Sequence, residues 1–382
     1  LCMAFMANLP FALSAGMGLN AFMAYTVVAG YGYSWQVALL AVFIEGLIFI
    51  VLSLTNIREA IFNAIPLTLK KGVSVGIGLF IAFIGLQNSG LCVDSATLVG
   101  IISFPENFHT AGICALLTLI GLFFTAVFYT RKMKGAILYG ILLTWILGML
   151  CQVTGLYVPT PDAGFYSLFP SWGMTDFSRL GLTFGQCFNV DFSAVGIVNF
   201  IVVIFSFLFV DIFDTLGTLI GVATKAKMLD KDGKLPGIKP ALLADSIATS
   251  AGAILGTSTT TTFVESASGV AVGGRTGLTA LVTGILFLVS TLFAPIFTAI
   301  PSFATAPALI MVGFLMVGTV TEINFDLDNL TESMPLFYSI SEGISLGVIS
   351  YVLLNVAAGK GKKVAPLMYV LAVLFVLKYI FL

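Results

Sequence analysis

Acidic residues within apolar stretches of the sequence are the side chains best suited to exchange protons or to bind a polar ligand. Six of them interrupt runs that are otherwise apolar: Glu45, Asp211, Asp214, Asp245, Glu265 and Glu342. No lysine or arginine is expected inside the same runs to pair with them. A carboxylate buried without a cation tends to bind a proton, and an ionisable group at such depth usually serves a function. The six residues therefore predict proton exchange or hydrogen bonding to a polar ligand.

Asp214 and Glu265 are the strongest candidates of the six. Asp214 lies late in an apolar run, where Gly217 and Thr218 permit another segment to approach closely. Glu265 follows a run of threonines and falls in the first turn of a predicted helix. The positive end of the helix dipole favours an acidic group at that place. We predict that both carboxylates belong to a functional site.

The remaining four carboxylates have weaker claims. Asp211 shares a helical face with Asp214 and could share its proton, although a structural capping role is favoured. Asp245 lies in a run that is typical of small-residue helix packing. Glu45 and Glu342 each lie near a glycine, and a snorkelling or lumen-facing side chain is the alternative for both.

The composition of the whole chain indicates a membrane protein. Of its 382 residues, 59% are hydrophobic and 9% are charged, whereas a soluble domain carries about 25% charged residues. Its mean hydropathy is +1.08, and apolar runs of about twenty residues, long enough to cross a bilayer, recur from end to end. The sequence predicts an all-α polytopic protein whose main partner is the lipid bilayer. A net charge of −1 without a basic stripe excludes a nucleic-acid partner.

The rare residues exclude several kinds of chemistry. The five cysteines form no CxxC pair, so they indicate neither a metal site nor a disulfide framework. There is no HExxH motif, and the single histidine, His109, lies in a polar loop. No Gly-x-Gly-Asp motif is present, and Asp211 and Asp214 share one helix, which argues against an intramembrane aspartyl protease. We expect neither an enzyme nor a cofactor, and any proton inside the membrane must be carried by a carboxylate.

Apolar windows predict about twelve membrane segments. They lie near residues 17–30, 35–54, 72–89, 110–130, 135–153, 195–222, 239–256, 263–273, 277–297, 304–320, 335–358 and 365–382. Loops carrying lysine and arginine alternate with loops that nearly lack them, and the positive-inside rule makes the basic ones, including that of Arg58, cytoplasmic. The alternation fails after Val320, where a span is shortened or the last helices do not cross fully. Because Leu1 already belongs to a hydrophobic run, we expect the true N-terminus upstream of it.

The chain divides into two similar halves. A long polar stretch, residues 155–192, separates residues 1–154 from residues 193–382. Each half contains a polar interruption followed by a short helix, at residues 8–20 and 257–269. Paired interruptions of this kind are typical of transporters built from inverted repeats, with the substrate between the repeats.

The two interruptions are predicted to meet. A non-helical segment cannot face lipid, because its unpaired backbone groups would cost several kcal/mol each. Pro10 prevents a regular helix in the first interruption, and the threonine run of the second favours an extended backbone. The sequence therefore predicts two short strands, one from each half, that pair inside the membrane and precede two half-helices.

Three motifs resemble the adenine/guanine/hypoxanthine permeases, the AzgA-like branch of the nucleobase–cation symporters. They are Gly16-Met-Gly-Leu-Asn-Ala21, Phe209-Val-Asp-Ile-Phe-Asp-Thr-Leu-Gly-Thr-Leu-Ile-Gly221 and Gly256-Thr-Ser-Thr-Thr-Thr-Thr-Phe-Val-Glu-Ser-Ala-Ser-Gly-Val-Ala271. The resemblance covers essentially the whole chain and implies fourteen segments in two inverted sevens, arranged as a core and a gate domain. Compared with that arrangement, we expect the first segment and part of the second to be absent from this chain. By position, Asn20, Asp214 and Glu265 match the family's polar residues of the third, eighth and tenth segments.

The resemblance implies a proton-coupled importer of purine nucleobases in the bacterial inner membrane. The expected substrate-binding residues are Asn20, Asp214, Glu265, Phe263, Gly18 and Thr218, with Glu265 and Asp214 also carrying the proton. Three alternatives remain open: a xanthine or uracil carrier, an anion carrier of the same fold, and a truncated remnant that transports nothing. The anion carrier would require a basic residue at the half-helix ends, and the sequence has none there. A homodimer is also left open.

Overall fold

The chain folds into a helical bundle interrupted by short strands, as seen in a computed structural model. The structure describes residues 1–16, 19–20, 22–95, 98–191, 195–323 and 340–381. The α-helices are α1 Trp35–Leu54, α2 Ile57–Ala64, α3 Leu67–Asn88, α4 Ile113–Thr130, α5 Ala136–Val153, α6 Ile197–Lys225, α7 Ile238–Leu255, α8 Ser266–Ala271, α9 Gly277–Leu292, α10 Ala294–Phe297, α11 Ser302–Val317, α12 Ile340–Ala357 and α13 Pro366–Phe381. Segments with π-helical geometry are Met3–Ala7, Phe22–Gly30 and Phe108–Gly112.

The strands and the short helical turns complete the fold. The strands are β1 Leu13–Ala15, β2 Cys92–Ser95, β3 Leu98–Ile101 and β4 Thr260–Thr262. Turns of 3-10 helix lie at Pro161–Ala163, Phe177–Leu182, Gln186–Phe188, Gly318–Glu322 and Gly361–Lys363. The β2–β3 hairpin occupies a segment that the sequence analysis treats as a plain loop between two spans.

Six helices among the described residues are long and apolar enough to cross a bilayer. They cover Trp35–Leu54, Leu69–Asn88, Phe108–Thr130, Ala136–Val153, Asn199–Lys225 and Ile238–Leu255. Shorter apolar helices cover Gly277–Leu292, Ser302–Val317, Ile344–Ala357 and Pro366–Leu377. Each of these helices overlaps a predicted segment, which confirms that part of the prediction. The helix Ile344–Ala357 begins later than the predicted span 335–358, whose first residues are not described. The acidic segment 324–339 and the first residues of the predicted span 17–30 lie outside the described residues.

Large apolar side chains cover much of the outer surface of the bundle. Leu278 and Leu286 on α9 are 65% and 59% exposed, and Phe123 on α4 is 64% exposed. Large apolar side chains exposed in such numbers mark a surface that lipid or another protein covers. These exposed apolar faces are consistent with a bundle that is surrounded by lipid.

Glycines let the central helices approach one another closely. A Cβ added to Gly78 of α3 would lie 2.8 Å from the carbonyl oxygen of Gly313 in α11. A Cβ added to Gly46 of α1 would lie 2.8 Å from the backbone nitrogen of Ser250 in α7. Small residues are typical of such membrane helix contacts, because packing drives association where lipid removes the hydrophobic effect. The α1–α7 contact brings the buried face of α1 against the helix that precedes β4.

Strands β1 and β4, one from each half of the chain, form a two-stranded antiparallel sheet. Leu13 is paired with Thr262, and Ala15 with Thr260. This confirms the predicted pairing of the two interruptions. Because β4 is directly preceded by α7 and followed by α8, the pairing fixes where α8 begins relative to the first half.

Candidate functional site

The junction of β1 and β4 is held by hydrogen bonds that extend beyond the paired residues. The Phe263 backbone nitrogen donates to the Ala12 carbonyl at 2.9 Å, and the Gly16 nitrogen donates to the Thr259 carbonyl at 3.2 Å. The Ala12 nitrogen donates to the Ser266 hydroxyl at 2.9 Å. Backbone groups that a helix would satisfy internally are therefore satisfied across the two halves.

Asp214 lies on α6 beside the end of β1. A Cβ added to Gly16 would be 3.8 Å from the Asp214 Oδ2 atom and 2.9 Å from the Thr261 methyl group. Asp214 is half-buried, whereas Thr218, one helical turn later, is only 1% exposed. The lack of a side chain at Gly16 thus keeps one side of the Asp214 carboxylate accessible next to the strand pair.

Glu265 lies directly before the first residue of α8, as its predicted place at a helix N-terminus requires. Its side chain is half-buried, and in the described part of the chain its Oε2 atom has no hydrogen-bond partner. The Ser268 hydroxyl donates to the Glu265 backbone carbonyl at 2.7 Å, which anchors the backbone at this turn. Glu265 follows the last residue of β4 by three positions, and the partner strand β1 ends next to Gly16 and Asp214. Two carboxylates from different helices therefore lie near the same strand pair.

Asn20 completes this group from the first half of the chain. Its side chain is exposed, and its Oδ1 atom accepts a hydrogen bond from the Ser258 hydroxyl. Its backbone nitrogen donates to the Gly16 carbonyl at 2.8 Å. Phe263 is half-buried at the other end of β4. The sixth predicted site residue, Gly18, lies outside the described residues.

Arg58 corrects the expectation that no basic side chain pairs with the buried carboxylates. The sequence places it in a cytoplasmic loop, but it lies in α2 with 0% exposure. Its Nη2 atom is 3.0 Å from the Asp245 Oδ2 atom, and its Nη1 atom donates to the Leu242 carbonyl and the Ser246 hydroxyl. Asn56 adopts a left-handed backbone at φ 63°, which turns α2 back from the end of α1. Hydropathy windows miss this because α2 is too short to be counted as a span.

Hydroxyl groups connect β4 to the buried carboxylates. Thr262 donates to Asp245 at 3.3 Å, and Thr215 of α6 lies 2.7 Å from the Thr261 hydroxyl oxygen. The Thr215 hydroxyl is also 3.2 Å from the Asp211 Oδ1 atom. From its sequence, the threonine run is predicted only to favour an extended backbone. The β-branched side chains are in addition hydrogen-bond donors, which gives a reason for threonine rather than valine.

Glu45 is part of the same buried region, although the sequence ranks it low. Its exposure is 0%, so it neither snorkels nor faces an open lumen in this structure. The Thr259 hydroxyl donates to its Oε2 atom at 2.9 Å. The side chain of Glu342 is outside the described residues.

Comparison with known proteins identifies the family. The profile of the permease family Xan_ur_permease matches residues 1–355 of the chain. The chain belongs to this permease family. The permease is 46% identical over 388 residues to the guanine/hypoxanthine permease PbuG of Bacillus subtilis strain 168, an alignment that covers 100% of this chain and 83% of PbuG. It is 39% identical over 392 residues to the adenine permease AdeQ of Escherichia coli K12, covering 100% of this chain and 82% of AdeQ.

The fold of the permease is also found in a solved transporter domain. The transmembrane domain of the cyanobacterial bicarbonate transporter BicA superimposes with a TM-score of 0.55 and 16% sequence identity, covering 92% of this chain and 86% of that domain. This likeness confirms the predicted inverted-repeat membrane fold. The permease is thus a multi-pass plasma-membrane transporter rather than an enzyme.

Proposed function

We propose that this permease imports purine nucleobases, and that the group around the β1–β4 junction binds them. The observation that carries the proposal is the convergence of two half-buried carboxylates, Asp214 and Glu265, on a strand pair next to an exposed amide, Asn20. PbuG and AdeQ, whose names describe guanine/hypoxanthine and adenine permeases, are similar over the whole chain. Their similarity supports a purine as the substrate class.

The chemistry of these side chains suits the edge of a purine. A purine is flat and presents N–H donors and ring-nitrogen acceptors along its edge. Asp214 and Glu265 are acceptors for the N–H groups, and the Asn20 amide both donates and accepts. The ring of Phe263 is available for stacking on the purine face. The Ser258 hydroxyl fixes the amide of Asn20, so the pattern of donors and acceptors is held before substrate binds.

An anion of the type carried by BicA fits this site poorly. Among the described residues Arg58 is close to the strand pair, but its guanidinium is fully buried and paired with Asp245. The side chains that are left to face a substrate include two carboxylates, which repel an anion. A neutral nucleobase is therefore favoured over bicarbonate or sulfate, although the fold is shared.

Proton symport is the proposed mode of coupling. Two carboxylates next to one strand pair bind protons as a coupled pair, because a proton on either one relieves the repulsion between them. His109 is exposed, in the π-helical turn that precedes α4, and is not part of the site. Protonation from the outside would favour substrate binding, and proton release inside would complete the cycle.

Uptake by cells that lack their own purine permeases tests the function. Cells expressing this chain should accumulate radiolabelled adenine, guanine or hypoxanthine, and unlabelled purines should compete. Xanthine, uracil and bicarbonate serve as comparison substrates. Accumulation of bicarbonate without purine uptake would contradict the proposal. Absence of all uptake from a correctly inserted chain would favour the remnant alternative.

A further inference from the structure

Glu45 is a buried carboxylate to which the mechanism above gives no role. It lies in the middle of α1 with 0% exposure. One of its oxygens accepts the Thr259 hydroxyl at 2.9 Å. The other, Oε1, has no hydrogen-bond partner among the described residues. An ionised carboxylate in an apolar interior requires a cation or several donors, and a single hydroxyl does not replace its lost hydration.

The charged groups that face Glu45 do not supply a cation of its own. They are Asp211 from α6, Asp245 from α7 and Arg58 from α2. The Arg58 guanidinium is directly bonded to Asp245. The Asp211 Oδ2 atom, like Glu45 Oε1, has no partner in the described part of the chain.

Three buried carboxylates thus share one guanidinium. If all were ionised, two negative charges would remain uncompensated in a region that excludes water. Protons on the two carboxylates that do not contact Arg58 remove this excess charge. Glu45 and Asp211 are those two, and each has a free oxygen to carry the proton.

The position of Glu45 connects it to the purine-binding group through neighbouring residues. Thr259, its hydrogen-bond partner, also accepts the backbone N–H of Gly16 at 3.2 Å. The preceding residue, Ser258, holds the amide of Asn20. A change in the charge of Glu45 therefore acts directly on the segment that positions Asn20.

We propose that Glu45 is a second proton-binding site of the permease, and that its protonation positions Ser258 and Thr259 and thereby Asn20. Glu45 touches no substrate, so it is a positioning residue. When Glu45 is neutral, Thr259 stays bonded and the amide of Asn20 keeps its orientation. When Glu45 loses its proton, the single Thr259 hydroxyl does not stabilise the buried charge, so the carboxylate moves and the Thr259 contact changes. The effect on purine binding rests on the function proposed above, whereas the protonation itself does not.

Infrared spectroscopy of the purified protein tests the protonation without transport. At neutral pH the wild-type minus Glu45→Gln difference spectrum should contain a protonated-carboxyl stretch that shifts in D₂O. Glu106→Gln, which removes an exposed glutamate from a loop, is the matched control and should show no such band. Glu45→Asp covers the case in which glutamine prevents folding, since its band should move rather than vanish. A difference spectrum that instead shows an ionised carboxylate at Glu45 would overturn the proposal.

Equilibrium binding of purines as a function of pH tests the positioning. A site linked to one proton loses up to about tenfold in affinity for each unit of pH above its titration. Glu45→Gln, which mimics the neutral acid, should weaken this dependence by one proton. Thr259→Val should keep the infrared band but change the competition pattern in the same way as Asn20→Ala. If the pH dependence of purine affinity were unchanged in Glu45→Gln, the positioning role would be overturned. A purine affinity that depends on Na⁺ at constant pH would also overturn it. If the wild type bound no purine, the function proposed above would fail, and the infrared result would still decide the protonation of Glu45.

Discussion

Arg58 and Asp245 form an ion pair across 187 residues of sequence, with 3.0 Å between Nη2 and Oδ2 and both side chains fully buried. The guanidinium also lies over the Phe49 ring at 4.2 Å from its centroid. On the other side Asp245 accepts hydrogen bonds from Thr215 and Thr262. The pair therefore links α2 and α7, and through Thr215 and Thr262 it also connects them to α6 and β4.

Arg58→Gln should destabilise the protein strongly. Removing one partner of a buried ion pair costs about 3–5 kcal/mol, because the other charge is left buried and unpaired. Thermal unfolding of the detergent-purified protein should show a clear loss of stability. Arg58→Gln combined with Asp245→Asn should recover part of it. Arg131→Gln, in an exposed turn, is the control and should have no effect. Equal stability of Arg58→Gln and the wild type would show that the pair contributes little.

Glu265→Gln should abolish concentrative uptake while the protein stays in the membrane. Glutamine keeps the size and hydrogen-bonding capacity of glutamate but carries no ionisable proton. Radiolabelled purine accumulation in energised cells measures the effect, with Glu106→Gln as the control and an immunoblot of the membranes as the measure of insertion. Undiminished proton-driven accumulation by Glu265→Gln would contradict its role in coupling.

Asn20→Ala should change which purine analogues bind. A site that hydrogen-bonds a ligand edge rejects analogues lacking the bonded group by up to about 10⁴-fold. Competition by purines altered at single ring positions should show reduced discrimination at one or two positions only. An identical inhibition profile would place Asn20 outside the site.

Gly16→Ala should impair transport more than folding. The added methyl group would lie 2.9 Å from the Thr261 methyl group, so the β1–β4 pair must shift, and Asp214 Oδ2, in ordinary contact at 3.8 Å, lies directly beside the displaced strand. Gly173→Ala is the matched control, because a Cβ at Gly173 would meet no heavy atom within 4 Å. Uptake should fall for Gly16→Ala and remain at the wild-type level for Gly173→Ala. Full activity of both variants would show that Asp214 is not confined by β1.

Uptake should decrease as the external pH rises through neutrality, because fewer carboxylates are then loaded with a proton from outside. A protonophore should abolish accumulation, and replacement of Na⁺ by choline should leave it unchanged. His109→Ala should retain the wild-type pH profile, since the histidine is exposed and outside the site. Uptake that required Na⁺ and resisted the protonophore would indicate that the carboxylates bind sodium instead of a proton. A shifted profile in His109→Ala would contradict a proton carried by carboxylates alone.

The centre of this site can be predicted from sequence because nearby residues determine the backbone conformation there. Pro10 and the threonine run exclude regular helix, and apolar surroundings demand a partner for each exposed backbone group, so the β1–β4 pair follows. The partner of Arg58, in contrast, cannot be predicted from local sequence. Nothing in the sequence near Arg58 indicates that it pairs with Asp245 on α7, and a loop in the cytoplasm satisfies the same local pattern. The role of Glu45 does not follow from local sequence either, since its contact with Thr259 is set by how closely Gly46 lets α1 approach α7.

The pairing of β1 with β4 has a consequence for biosynthesis. Ala12 and its hydrogen-bond partner Ser266 are separated by 254 residues, so β1 leaves the ribosome long before the strand that satisfies its backbone. During that interval its N–H and C=O groups must be kept hydrated or held by the insertion machinery, since lipid offers them nothing. The strand pair of the candidate site can therefore form only after most of the second half has been inserted, because the first half alone contains β1 without its partner.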